Sequence, residues 1–393
     1  MPASAREMAS VPAPRRIFDA RVCRPMDGLS TSLWGLSLRN PIIIAPSPPT
    51  AHASGIIAAD RAGAGAVITK SVGPHTERPT PGTDRRQVRY VPGTGIWMQS
   101  TYRREILPLA EGRELLLSVK PRVAIPVIGS VFCPSFDPVE WTRVAGALAE
   151  AGADAIHLDL FYLPLEPPLA AAGDGLRSLF NAVVADVHVP VVVKLNIHLD
   201  LAGVVRICEE TGVRGLAYLD SARLGNPRSE HDPASYLLPG PPSEMCGLAG
   251  EWLRPMTMAY TDRLQQLTHL ERCAGGGLFD SHDALEALLR GAHAIQLCTA
   301  LLVRGWGVVR EILDGLKSYL IRTEGGSLTD LREECRLART SPLVGRVQRV
   351  PGVCVQCGRC EAQFMCRARA GSAECESCGF CVELCPVGAV LPR

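Results

Sequence analysis

Eight of the fifteen cysteines lie between Cys354 and Cys385, and their spacing constrains this chain more than any other feature. The first run reads Cys354-Val-Gln-Cys357-Gly-Arg-Cys360, followed by Cys366. The second reads Cys375-Glu-Ser-Cys378-Gly-Phe-Cys381-Val-Glu-Leu-Cys385-Pro386. Three thiolates at two-residue gaps can wrap one face of a cubane, with the fourth ligand drawn from the other run. That crossed arrangement holds two [4Fe–4S] clusters. The spacing assigns Cys354, Cys357, Cys360 and Cys385 to one cluster. Cys375, Cys378, Cys381 and Cys366 fall to the other. A zinc module uses pairs of ligands without the third closely spaced thiol, and a disulfide framework needs an oxidising compartment. Cys366 is the irregular member: five residues separate it from Cys360, and no Pro follows it. The expectation is a ferredoxin-like two-cluster domain over residues 351–393 that moves single electrons.

The remaining length allows one large domain beside the small one. A net charge of +1 gives no field that suggests nucleic acid or a membrane surface. No apolar run reaches the length of a spanning helix, and residues 1–23 lack the continuous apolar stretch of a secretory signal. Oxygen-sensitive clusters and free thiols then predict a cytoplasmic setting.

Residues 1–29 are rich in Pro and Ala and read as an N-terminal arm. From there to residue 322, short apolar runs alternate with helical patterns. The runs are 42–45, 66–69, 123–131, 153–160, 190–195, 215–219 and 292–297, with 270–274 a fainter eighth. Strands alternating with helices build a parallel sheet covered on both faces. Eight such units over residues 30–322 predict an α/β fold, a (β/α)₈ TIM barrel; an open doubly wound sheet is the rival. Residues 323–350 read as a linker helix. Two long insertions, 74–122 rich in Pro, Arg and aromatics and 221–254 rich in Gly and Pro, follow the second and sixth strands and so fall on the end of a barrel where active sites sit.

The chain has only four lysines against 37 arginines, and two of the four, Lys70 and Lys194, end apolar strands. Such a Lys points into the barrel mouth, as a compact charge suited to an anionic ring or a phosphate. Gly276-Gly277 and Cys298-Thr299 each open a helical pattern after the last two strands, the usual place of a barrel phosphate site. A phosphate-bearing cofactor that exchanges single electrons with clusters and hydride with a substrate would join the two domains. Flavin mononucleotide (FMN) has that chemistry.

Asn40-Pro41-Ile42-Ile43-Ile44-Ala45-Pro46-Ser47-Pro48-Pro49-Thr50 resembles the first-strand signature of the dihydroorotate dehydrogenase-like FMN barrels. Thr69-Lys70-Ser71, Val193-Lys194-Leu195, Gly247-Leu248-Ala249-Gly250 and Gly276-Gly277-Leu278 extend the likeness, as does the stretch from Val127 to Ala155. With the C-terminal cysteine runs, it is similar above all to the pyrimidine-reducing subunits of the dihydropyrimidine dehydrogenases. The resemblance implies FMN contacts at Ala45, Ser47, Lys70, Ser71, Lys194, Gly250, Gly276, Gly277, Cys298 and Thr299. It also implies electrons arriving through the clusters from an external NAD(P)H/FAD reductase subunit or a ferredoxin, a small-molecule substrate and a homo-oligomer.

The family's catalytic loop reads Asn-Leu-Ser-Cys-Pro, and here the sequence is Asp159-Leu160-Phe161-Tyr162-Leu163-Pro164. Tyr162 replaces the acid/base Cys and Asp159 replaces an Asn. Asp220-Ser221 replaces an Asn-Thr pair, and Gln99 is the nearest candidate for a further substrate Asn. A phenol stays protonated at neutral pH, so Tyr162 can donate a proton in a reduction but is a poor base. Its other reading is an aromatic packed over the mouth, with Cys133 and Cys246 as rival donors. His157 reads as a core histidine, and His198 as a ligand contact or rim residue. An ionised Asp only accepts hydrogen bonds where Asn also donates. The pair Asp159 and Asp220 therefore disfavours an anion and favours a substrate offering N–H, O–H or a cation. The expected activity is reduction of an activated C=C or C=N bond. The alternatives are an electron-transfer subunit without substrate chemistry, and pyrimidine or dihydroorotate chemistry with a substituted acid/base.

Overall fold

The computed structural model describes residues 28–75, 88–91, 95–100, 106–160, 163, 169–225, 228, 232, 234–236, 238, 245–323, 326–336, 347–362 and 380–392. Eight short strands form its centre: β1 (Ile42–Ile44), β2 (Ala66–Ile68), β3 (Val127–Val131), β4 (Ala155–Asp159), β5 (Val191–Lys194), β6 (Gly215–Tyr218), β7 (Glu271–Gly275) and β8 (Ala294–Leu297). Each pairs in parallel with the next, and β8 pairs with β1. The ring is closed, which excludes the open doubly wound alternative. The third strand is shorter than the apolar run that announced it: Lys120–Arg122 is a 3₁₀ turn, and pairing begins at Val127.

A helix follows each strand: α1 (Ala53–Ala62), α2 (Leu109–Val119), α3 (Pro138–Glu150), α4 (Leu169–Asp186), α5 (Leu201–Glu210), α6 (Arg254–Leu267), α7 (Ser281–Leu289) and α8 (Gly307–Arg322). In α3 the local causes are plain. Asp137 accepts the Val139 N–H at 3.0 Å as N-cap, and Pro138 occupies the first turn where its missing N–H costs nothing. Trp141, Val144, Ala145 and Leu148 recur at helical spacing on the buried face.

The strands are buried on both sides. Ile42, Ile44 and Val67 face the helices, while Ile43, Ala66, Ile68, Ile128, Val192 and Ala294 fill the interior. Two-sided burial is why most of the strands read as apolar runs in the sequence. The N-terminal end is plugged by a hairpin of Thr31–Leu33 and Leu36–Leu38, turned at Trp34 (φ 57°) and Gly35 (φ 83°). The Trp34 ring is fully buried within the inner cluster, and a Cβ at Gly215 would stand 2.2 Å from it.

Both insertions contribute to one structure that sequence periodicity did not announce. Val88–Val91, Ile96–Ser100, Met245–Gly250 and Ala222–Gly225 form a four-stranded antiparallel sheet. Its strands leave from the C-terminal ends of β2 and β6. Gly250 (φ 108°) permits the tightest pairing there, since a Cβ would sit 2.0 Å from the Gly95 carbonyl oxygen.

The chain divides into two compact units, 1–336 and 337–393. In the second, Val347–Arg349 pairs antiparallel with Val390–Pro392, beside short helices at Arg359–Ala362 and Phe380–Glu383. Residues 347–349, read above as linker, are thus a strand of the small unit. Among the described residues no helix is long and apolar enough to cross a membrane.

Candidate active site

Lys194 ends β5 with only 4 % of its surface exposed. Its Nζ lies 3.1 Å from Asp220 Oδ2, on the turn after β6. In register it stands beside Asp159, the last residue of β4. Burial alone would lower the ammonium's pKa; the Asp220 and Asp159 carboxylates outweigh it, and the net shift is upward. The site therefore keeps a charged, desolvated lysine at neutral pH.

Asp159 is itself buried, and its Oδ2 accepts the Ser71 hydroxyl at 2.9 Å. Ser71 Oγ is 3.3 Å from Ser130 Oγ, which is 3.0 Å from His157 Nδ1. Burial first, then the Lys194 charge, pushes His157 down to about 3. It is a neutral, hydrogen-bonded core histidine, as its alternation with Asp159 along β4 predicts.

A cleft at this end is lined by Ala45, Lys194, Gly276, Gly277, Cys298 and Thr299, with Asp220, Ser221, Trp97, Phe279 and Gln296. Six of the ten implied FMN contacts, and two of the implied substrate contacts, therefore share one cleft. Ser47 and Ser71 are buried and absent from its lining, and so is Asp159. Lys70 is partly exposed and outside the lining, though its charge acts on Cys298. Gly250 is held in the mouth sheet. Tyr162 and the side chain of Gln99 lie outside the described residues. Neither rival donor reaches the cleft. The Cys133 thiol is buried and pushed up to about 12 by burial and then Glu140. Cys246 packs with Met98 and Leu238, and burial pushes its thiol up as well. His198 is also absent from the lining; its backbone N–H donates to Asn196 Oδ1 at 2.8 Å.

The residues present fit a flavin nucleotide. Gln296 Nε2 and Oε1 and Ser221 Oγ are buried polar atoms without a hydrogen-bond partner among the described residues, and both residues face the cleft. Gly276 (φ 91°) and Gly277 (φ 76°) make a bare backbone turn before α7, where a Cβ on Gly277 would meet the Arg254 nitrogen at 2.3 Å. Nothing in the sequence marked Gln296 as a site residue; a polar side chain ending an interior strand was the available signal. Leaving an amide unpaired in a buried site costs about 1–3 kcal/mol. Gln296→Leu is therefore expected to leave the FMN-free protein as stable as wild type or more so, while weakening FMN binding roughly tenfold. Thermal unfolding with and without FMN separates the two effects.

In the small unit, Cys354, Cys357, Cys360 and Cys385 line a single cavity with Arg349, Gln356, Arg359 and Val387. No three of these thiols approach within 4.8 Å of one another. Among the described residues the one trio that close is Asp280, His282 and Asp283, where Asp280 caps α7 and Asp283 binds Arg254. Cys385 Sγ accepts the Ala389 N–H at 3.0 Å. The backbone amide of Val387 first, then those of Ala389, Val390 and Gly388, hold the Cys385 thiol below its ordinary range. Left-handed turns at Gln356, Gly358 and Gly388 belong to this cradle, a backbone form that binds anions. Cys381 is buried near Val390 and off the cavity lining; Cys366, Cys375 and Cys378 lie outside the described residues.

The family model described as dihydroorotate dehydrogenase matches residues 164–320. The catalytic subunit of dihydroorotate dehydrogenase B (NAD(+)) of Methanothermobacter thermautotrophicus is 29% identical over 316 residues, covering 77% of this chain and 96% of that protein. The subunit of the same name from Thermoplasma volcanium is 26% identical over 302 residues, 75% and 94% of the two chains. That of Methanosarcina mazei is 29% identical over 301 residues, 75% and 91%. About a quarter of this chain therefore has no counterpart in these relatives, and the family match stops short of the cysteine unit. With the closed barrel and the mouth cleft, these matches make the chain similar to the dihydroorotate dehydrogenases and support an FMN-dependent oxidoreductase acting on CH–CH bonds.

Proposed function

We propose that the chain is an iron–sulfur flavoprotein reductase, in which a partner's electrons enter at a ferredoxin-like C-terminal unit and are used in the barrel to reduce an activated C=C or C=N bond. The organisation proposed is an arm (1–29), an FMN barrel (30–322), a linker that ends before the strand at Val347–Arg349, and a two-cluster unit that holds residues 351–393. The observation that carries it is the convergence of Cys354, Cys357, Cys360 and Cys385 on one cavity lined with sulfur-directed backbone amides. Bound FMN would supply hydride chemistry, and [4Fe–4S] clusters single-electron transfer. Ala45, Lys194, Gly276, Gly277, Cys298 and Thr299 would hold the flavin. Gln99, Asp159, Asp220 and Ser221 would meet the substrate. The donor is an NAD(P)H/FAD reductase or a ferredoxin, since no Gly-x-Gly-x-x-Gly strand–helix unit is present in the sequence.

The relatives are named for dihydroorotate. This chain carries Asp220 in the cleft lining and Asp159 buried at the end of β4, and carboxylates near a ligand disfavour an anion of that kind. The substrate class proposed is a small polar molecule offering N–H or O–H groups. Tyr162 is proposed as the proton donor. Tyr162→Phe is then expected to lower turnover roughly 10²–10⁴-fold with FMN content unchanged; unchanged turnover rules the phenol out.

The test is anaerobic stopped flow. Dithionite-reduced protein, freed of excess reductant, is mixed with uracil, orotate and a panel of enones, enamides and imines while flavin absorbance is followed. Reoxidation by a neutral N–H-bearing member and not by orotate supports the proposal. Fast reoxidation by orotate overturns the substrate class. Reoxidation only by an artificial acceptor favours an electron-transfer subunit.

A further inference from the structure

We infer that His157, Ser130 and Ser71 form a one-directional hydrogen-bond relay that fixes the Asp159 carboxylate beside Lys194, which makes His157 a positioning residue for the active site. The relay runs from β4 to β3, to Ser71 just past the end of β2, and back to β4. Its links are 3.0, 3.3 and 2.9 Å. All four side chains are buried, with Ser130 and His157 fully so.

The direction follows from counting protons. An ionised carboxylate only accepts, so the Ser71 hydroxyl spends its one hydrogen on Asp159. Ser71 Oγ must then accept from Ser130, whose single hydrogen points that way. Ser130 Oγ in turn must accept from His157, so the proton of the neutral imidazole sits on Nδ1. The remaining nitrogen, Nε2, carries the lone pair, and it is the His157 atom buried without a partner among the described residues. A bare Nε2 costs less there than an N–H with nowhere to donate. The depressed basicity of His157 agrees with a neutral ring. The Ser130 backbone N–H donates to Thr69 Oγ1 at 3.0 Å, which fixes the middle of the relay against β2.

The consequence falls on Lys194. Asp159 is its neighbour in register and one of the two carboxylates that keep it charged. A relay that holds Asp159 as an oriented anion therefore holds the lysine's charge at the cleft. None of this was legible in the sequence, where Ser71 and Asp159 stand 88 residues apart.

The test uses the full-length protein labelled with ¹⁵N-histidine, with the His157 signals assigned by their loss in His157→Asn. The expected result at neutral pH is a neutral ring protonated on Nδ1, with Nε2 bare. A ring protonated on Nε2, or an imidazolium, overturns the relay. A second readout is FMN binding, followed by quenching of flavin fluorescence. His157→Leu removes the donor and is expected to weaken binding about tenfold. His157→Asn, whose side-chain N–H reaches the Nδ1 position, is expected to restore binding to within about twofold. Equal losses in the two variants overturn the positioning role. The second readout rests on the flavin reading and the first does not, so a wild-type protein that binds no FMN would sink that reading while leaving the histidine spectrum decisive for the relay.

Discussion

Lys194→Met is expected to lose FMN and to unfold about 3 kcal/mol more easily than wild type. Breaking a buried ion pair from one side commonly costs about 3–5 kcal/mol, because the partner is left charged and uncompensated. Here Asp220 keeps 28% of its side-chain surface exposed and can recover some hydration. Asp159 keeps its bond from Ser71. The lower end of the range therefore applies. Lys194→Met combined with Asp220→Asn removes both charges of the closest pair and is expected to return stability to within about 1 kcal/mol of wild type, still without FMN. Urea unfolding of the wild type, both single variants and the double variant measures this. Equal stability of Lys194→Met and wild type would mean that the pair contributes nothing to the fold.

The second large effect is at the other unit. Cys385→Ser is expected to remove half of the iron and acid-labile sulfide per chain and to leave the flavin in place. Cys354, Cys357 and Cys360 cannot close a cubane without a fourth thiolate. Cys385 is also the thiol aimed at by the Val387–Val390 amides, so a serine there keeps the loop but not the ligand. Iron analysis and electron paramagnetic resonance of the dithionite-reduced variant read the outcome. Full iron content would remove Cys385 from the ligand set.

The barrel was legible because its physics is local. Seven strands buried on both faces read as short apolar runs with at most a single polar residue inside them (Ser130, His157 or Gln296), and Lys194 and Asp159 end two of them at the mouth. The seventh strand, Glu271–Gly275, was faint because it opens with Glu271 and Arg272. The structure accounts for both: the Glu271 carboxylate accepts the Trp34 N–H of the plugging hairpin. Arg272 donates to the carbonyls of Thr268, Leu270 and Gly291. A charged residue satisfied by backbone carbonyls looks like a loop residue in sequence.

The mouth sheet was not legible for a related reason. Its central pairing joins Gln99 to Gly247 across about half the barrel's length, and the insertions that carry the paired segments contain the Gly and Pro that normally mark loops. The cleft residues fared better, since Lys194, Gly276 and Gly277 carry their own signals in strand ends and turns. Gln296 and the Ser71–Asp159 contact carried none, because their significance depends on which atoms are left without partners after folding.

The most direct measurement is an anaerobic reductive titration of the purified, cofactor-loaded protein, followed by visible absorbance and electron paramagnetic resonance. The predicted result is uptake of about four electrons per chain, two bleaching the flavin and one entering each of two [4Fe–4S] centres. Uptake of two electrons by the flavin alone, with no cluster signal, would contradict an electron path through the C-terminal cysteines.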